Sequence, residues 1–280
     1  MNSTTSISKS KRGQNDLLEI ENDFAKATIS LFGGHILSYI PKTDDIDRLW
    51  LSEAAIFDGK TAIRGGIPIC WPWFGNAHNQ DRDDLPSHGF VRNQIWTLDS
   101  SEDSSTGTQL VLSPQSTVGP GWQFKTRLQL KVMVGKTLVV ELITRNLDKQ
   151  TIDLNCALHS YFRVDDIEQV TLTGLSGQYL DKTKDYEAFE TPDVYRIKDE
   201  TDRVHLHPAI LVEIDNGLHI GVRSSGHDSI VVWNPWEQNC LRMKDMNQDS
   251  YQTMICVESA ITQTLKLESN QEVILKQQII

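Results

Sequence analysis

Along "WQFKTRLQLKVMVG", residues 122–135, apolar and polar side chains alternate over most of the run. Phe124, Thr126, Leu128, Leu130, Val132 and Val134 share one parity, and Lys125, Arg127, Gln129 and Lys131 take the other. A period of two marks a half-buried antiparallel strand with one wet face. "KTLVVELITRNL" follows directly after Gly135, so the two segments predict a hairpin. Further short strands are predicted at "FAKATISLF", "HILSYI", "TQLVLS", "TIDLNCALHSYF", "VTLTGL", "ILVEI", "LHIGVRS", "SIVVWN", "TMICVES", "TLKLES" and "EVILKQQII". Turn signals such as Gly33-Gly34, Asp215-Asn216-Gly217 and Ser225-Gly226 separate them. Helical periodicity is confined to short stretches near Asp44–Glu53 and Trp236–Met246. Many strands with few helices between them predict an all-β architecture of packed antiparallel sheets.

Two strands carry chemistry in their parity. In "TIDLNCALHSYF", Ile152, Leu154, Cys156 and Leu158 share one face, while Asp153, Asn155, Ala157, His159 and Tyr161 share the other. His159 therefore points away from the apolar side. In "TMICVESA", Met254, Cys256 and Glu258 share a face, and Ile255 and Val257 take the opposite one. Both faces are apolar, which predicts a central strand. A carboxylate there needs a partner or a proton, so Glu258 is either half of a buried ion pair or a general base strengthened by desolvation.

The chain has 280 residues with a net charge of -11, enough length for a large single core and a surface that repels nucleic acid and anionic membranes. No apolar run is long enough to cross a membrane as a helix. None of the four cysteines falls in a C-x-x-C pair, so free buried thiols and a cytoplasmic location are expected. The polar residues 1–15 are expected to form a disordered tail, with residues 16–280 as one catalytic domain.

Given that acidic field, an anionic ligand needs a local basic pocket. "IRGGIPICWPWFG" offers Arg64 beside two glycines, and "LPSHGFVRNQIW" offers His88 and Arg92 around Gly89. Such settings let backbone and guanidinium approach an anion together, and arginine forks fit phosphate. "ETDRVHLH" supplies Asp202 and a His-x-His pair, His205 and His207, which on one strand face suits a metal, although no third ligand stands nearby. The sequence contains no P-loop, no G-x-G-x-x-G and no G-x-S-x-G elbow, which removes the usual signatures of nucleotide-dependent chemistry and serine hydrolysis.

In order, "AIRGGIPICWPWFG", "LPSHGFVRNQIW", "ALHSYFRV", "TDRV", "VVWNPW" and "MICVESA" resemble the hexose-6-phosphate mutarotase branch of the aldose 1-epimerase family. The resemblance spans roughly residues 20–275. It implies a galactose-mutarotase-like β-supersandwich with a few short helices, and interconversion of hexose 6-phosphate anomers with no cofactor and no metal. It also implies His159 as general acid, Glu258 as general base, and Arg64, Ser87, His88, Arg92 and Asp202 as substrate-binding groups. Trp71 and Trp73 are expected to pack the wall of the site rather than touch sugar. A monomer is expected. An epimerase for unphosphorylated sugars and a non-catalytic carbohydrate-binding sandwich remain as alternatives.

Overall fold

The structure is a computed structural model that describes residues 6–77 and 84–280. Among these residues the strands form three antiparallel sheets of four, eight and nine strands. The four-stranded sheet runs in chain order through Ile7–Arg12, Asn15–Glu21, Ala25–Ser30 and His35–Pro41. The eight-stranded sheet is ordered Glu187–Glu190, Gln178–Asp181, Thr201–His205, Ser229–Asn234, Met254–Leu267, Ile152–Leu158 and Ile69–Cys70, with Tyr161–Arg163 also paired to Met254–Leu267. The nine-stranded sheet centres on Glu272–Ile279 and the predicted hairpin, Thr126–Gly135 with Leu138–Asn146.

The alternation read from the chain decides which faces meet. Leu128, Leu130, Val132 and Val134 of the hairpin are buried, and they share one core with Leu154, Leu158, Ile230, Val232, Ile255 and Val257 of the eight-stranded sheet. That core also takes in Leu18, Ile20, Ile29 and Ile36 of the four-stranded sheet. Burial of such side chains is the main stabilising term, roughly 1.5–3 kcal/mol each. The opposite face of the eight-stranded sheet is covered by two smaller clusters. One gathers Met254 and Cys256 with Trp50 and Tyr161, and the other gathers Ala260, Ala157, Cys70 and Val231. Glu258 lies on the strand between them.

Four expectations need correction. Ile7–Arg12 is a strand, not part of a tail; residues 1–5 lie outside the described residues. Its side chains are mostly exposed, and it is held through its backbone to Asn15–Glu21 and by the Ser10–Glu19 hydrogen bond at 2.7 Å. A charged edge strand of this kind shows no burial signal in sequence. Asp44–Glu53 is not helical: the Asp47 carboxylate accepts from the backbone N–H groups of Tyr39 and Leu49, and Trp50 N–H donates to Tyr161 O. Local carboxylate–backbone bonds compete with a helix, and here they win. The strand holding His159 is interrupted: it stops at Leu158 and resumes at Tyr161, with His159 N–H donating to Pro68 O. The His-x-His pair does not share a strand face, because Thr201–His205 ends before His207. His205 is buried against Tyr195 and Thr191, while His207 is exposed. The second short helix is present as Trp236–Cys240.

Candidate active site

Glu258 stands on Met254–Leu267, which is hydrogen-bonded to Ser229–Asn234 on one side and Ile152–Leu158 on the other. The strand is central, as its doubly apolar pattern predicted, and Glu258 is 1% exposed. Its Oε1 lies 3.3 Å from His159 Nδ1, across from the break at Leu158. That break turns the imidazole onto Tyr161, with parallel rings 5.0 Å apart, and edge-on to Trp233 and Phe74. The Glu258 Oε2 and His159 Nδ1 atoms are buried without a hydrogen bond.

Burial pushes the Glu258 carboxyl well above the ordinary carboxylate range; Asp202 adds to the shift and the Lys182 ammonium opposes it. Burial likewise drives His159 well below its ordinary value, helped by His88, Arg92 and Arg64. Both shifts favour the uncharged form of the group concerned.

The glycine-rich loops deliver the basic groups. Arg64 donates through Nε to Asp245 Oδ2 at 3.1 Å and through Nη1 to the Tyr161 hydroxyl at 3.0 Å. Gly65 and Gly66 have φ of +106° and +63°, and a Cβ on Gly66 would come within 2.2 Å of Ile36 O. Only glycine lets the chain pass that close and still present Arg64. His88 has a φ of +65°, unusual for a non-glycine residue, and is clasped to Gly75 through its own N–H at 2.7 Å and through Nδ1 at 3.2 Å. Its ring sits 5.5 Å from that of His159, and burial lowers its pKa to about 3, so it is a neutral group here. Arg92 donates to Ser87 O at 2.9 Å, and the Ser87 hydroxyl donates to Gly75 O at 3.2 Å. Ser87 thus ties the loop together. Trp71 and Trp73 are buried and donate to Thr144 and to Pro86 O, which makes both wall-packing groups.

Asp202 sits opposite Trp233 in the strand pairing and is held by Lys182 at 2.7 Å, while its Oδ1 is buried and unpartnered. Burial raises the Asp202 pKa and the lysine counteracts it. Exposure rises from Glu258 at the floor to the side chains of Asp202, Arg64 and Lys182 at the rim, at 21%, 25% and 30%.

Sequence reading did not single out Lys182, Asp245 or Phe74. Nothing local separates Lys182 from Lys184; only the pairing of Asp181 with Arg203 brings it beside Asp202. Asp245 lies in a loop far along the chain from Arg64. Tyr161 was legible by its shared parity with His159, and Trp233 lay within a quoted motif. The donor atoms of His159, Cys256 and Glu258 all lie within 4.8 Å of one another.

Large antiparallel sheets with a buried carboxyl–imidazole contact on one face, ringed by cationic groups, set the chain beside the carbohydrate epimerases. The aldose 1-epimerase family matches residues 16–279, and the chain belongs to that family. It is a carbohydrate epimerase, and its ligand is a sugar. An Escherichia coli (strain K12) relative named "Putative glucose-6-phosphate 1-epimerase" is 36% identical over 280 residues, covering 98% of this chain and 92% of the relative. A relative of the same name from Cenchrus ciliaris is 34% identical, covering 88% and 78%. A solved structure described as "a putative mutarotase" from Salmonella typhimurium has a TM-score of 0.91 at 33% identity, covering 100% of this chain and 95% of that one. The galactose-mutarotase-like supersandwich expected from the motif series is therefore the fold observed. No helix among the described residues is long and apolar enough to cross a membrane.

Proposed function

We propose that the chain is a glucose-6-phosphate 1-epimerase that interconverts the α and β anomers of a hexose 6-phosphate. The observation that carries this reading is the 3.3 Å approach of Glu258 to His159, with Arg64, Arg92 and Lys182 around the pair. The hydroxyl oxygen O1 and the ring oxygen O5 of a pyranose are bonded to the same carbon, so an acid and a base acting on them must stand side by side. Glu258 removes the O1 proton while His159 donates to O5, and the C1–O5 bond breaks to give the aldehyde. Rotation about C1–C2 presents the other carbonyl face, and the two steps reverse.

The reaction needs the pair's proton on the imidazole rather than on the carboxyl. A phosphate dianion gripped by Arg64 and Arg92 offsets the positive field that, after burial, depresses His159. Binding of the charged substrate therefore favours a protonated imidazole at His159. Asp202 Oδ1, kept available by Lys182, accepts from a sugar hydroxyl, and His88 donates to another. All these residues belong to one chain, so a monomer suffices, which sedimentation tests. The four cysteines are free and buried, which suits a reducing compartment such as the cytoplasm.

The test is exchange NMR of the anomeric protons, with glucose 6-phosphate and glucose compared on wild type and Arg92→Ala. A charge-assisted hydrogen bond of about 1.5–3 kcal/mol predicts a loss of about tenfold to a hundredfold on the phosphate and little change on glucose. Equal losses on both sugars would remove the phosphate role, and no catalysed exchange on either would remove the reading.

A further inference from the structure

Three donors of different chemistry converge at the floor of the site: an imidazole nitrogen, a thiol and a carboxylate oxygen. Cys256 and Glu258 share one face of a central strand, two residues apart, and Cys256 is paired directly opposite Tyr161, on which the His159 ring stacks. His159 is 9% exposed, Glu258 1% and Cys256 0%. Two of the donors, His159 Nδ1 and Glu258 Oε2, are buried polar atoms with no hydrogen bond. Among the described residues this is the one group of three histidine, cysteine or acidic side chains drawn so close. The sugar reaction employs the imidazole and the carboxylate, and it leaves the thiol without a task.

From this convergence we propose that His159, Cys256 and Glu258 together bind a zinc-class divalent cation, and that the bound ion shuts off sugar turnover. The nitrogen, sulfur and oxygen set matches the ligands of that ion. Bonds of about 2.0–2.3 Å at tetrahedral angles place donors under about 4 Å apart, so the three draw in by about 1 Å as the ion enters. The charges balance: a neutral imidazole, a thiolate and a carboxylate cancel a dication, which suits a buried site. The thiol proton, and the carboxyl proton where present, are released to solvent on binding. Of the neighbouring cations, Arg64 and Lys182 are engaged by Asp245 and Asp202, which limits their repulsion of the ion, and Arg92 donates to Ser87 O. An ion held there occupies the two groups that must meet O1 and O5, so ion and sugar exclude each other. The inhibition half of the proposal rests on the mutarotase reading; the binding half does not.

The experiment titrates chelator-treated, full-length protein with cobalt(II) as the spectroscopic stand-in for zinc. A thiolate-to-cobalt charge-transfer band saturating at one equivalent, and removed by zinc, is expected in wild type. It should be absent from Cys256→Ala and from Cys256→Ser, the second variant guarding against a folding failure of the first. In parallel, zinc should raise the apparent KM for anomer exchange in wild type and be reversed by chelator. The Cys256 variants should remain active and be at least about tenfold less sensitive, the usual cost of weakening a metal site. A missing band in wild type, or one that survives in the variants and so belongs to Cys70, Cys156 or Cys240, overturns the site. A band without loss of exchange, or equal zinc sensitivity in variant and wild type, overturns the inhibition. A band in a protein that shows no sugar exchange in chelator sinks the mutarotase reading and leaves the metal site standing.

Discussion

The two faces of the eight-stranded sheet treat their polar groups in opposite ways. On the inner face, toward the nine-stranded sheet, the polar side chains beside Val257 and Ser259 answer one another. Ser160 donates to Gln277 Oε1, Gln277 Nε2 donates to Val257 O at 3.2 Å and to Ser259 at 2.8 Å, and Ser224 bonds Ser259 at 2.6 Å. On the outer face, His159 Nδ1, Glu258 Oε2 and Asp202 Oδ1 are buried and unanswered. An unmet buried polar atom costs about 1–3 kcal/mol, so a face that tolerates several is held ready for a ligand that meets them. The inner face stabilises the sandwich, and that stability carries the strained outer face.

Substitutions on the two faces should therefore separate activity from stability. The largest effect is expected for Glu258→Gln, which keeps shape but removes the base. Catalysed anomer exchange should fall by about 10²–10⁴-fold while the urea midpoint holds or rises. Retained exchange in a folded Glu258→Gln protein would refute the assignment. Next, Leu154→Ala on the inner face should cost about 2–5 kcal/mol in urea unfolding and leave exchange per folded molecule nearly unchanged. Gln277→Ala should cost about 1–3 kcal/mol by stranding Ser160 and Val257 O, again with exchange retained. If it instead removes activity, the faces are coupled through Ser160, the neighbour of His159.

The smallest effect per group is set by pH. His35 is lowered to about 4 by burial, and His88 and His205 to about 3. His159 is depressed as well. A depressed folded pKa means the unfolded chain binds more protons, so this stability is present above about pH 6.5 and is lost as pH falls through the folded values. Each ring forfeits up to about 1.4 kcal/mol per pH unit below 6.5. Burial lowers His227 too, whereas it raises Asp47 to about 6 and lifts Asp202 and Glu258, and these three carboxyls oppose the loss because the folded state then holds the extra proton. The rings outnumber the carboxyls, so urea midpoints should drop between pH 7 and 5. A flat or rising midpoint would contradict the buried neutral imidazoles.

Much of this was legible one residue at a time. The alternation over residues 126–134 named the buried side of a strand, and the doubly apolar setting of Glu258 named a central one. His159 faces away from the main core as its parity predicted, although its strand breaks beside it, but its neighbours are the rings of Tyr161, Trp233 and Phe74 rather than polar groups. Local pattern failed where partners are remote or backbone-only. The edge strand Ile7–Arg12 buries little, and the stretch around Asp47 is held by side-chain-to-backbone bonds to Tyr39 and Leu49 in place of helical ones.

By itself the sequence determined the alternation of strands such as Thr126–Gly135 and Met254–Leu267, because side-chain facing is dictated by backbone geometry within a few residues, and its motif series pointed to the family. The tertiary structure alone decided that Lys182 reaches Asp202, that Asp245 grips Arg64 and that Cys256 stands beside the His159–Glu258 pair. Those meetings depend on sheet order and register between strands far apart in the chain, where no local periodicity carries a signal.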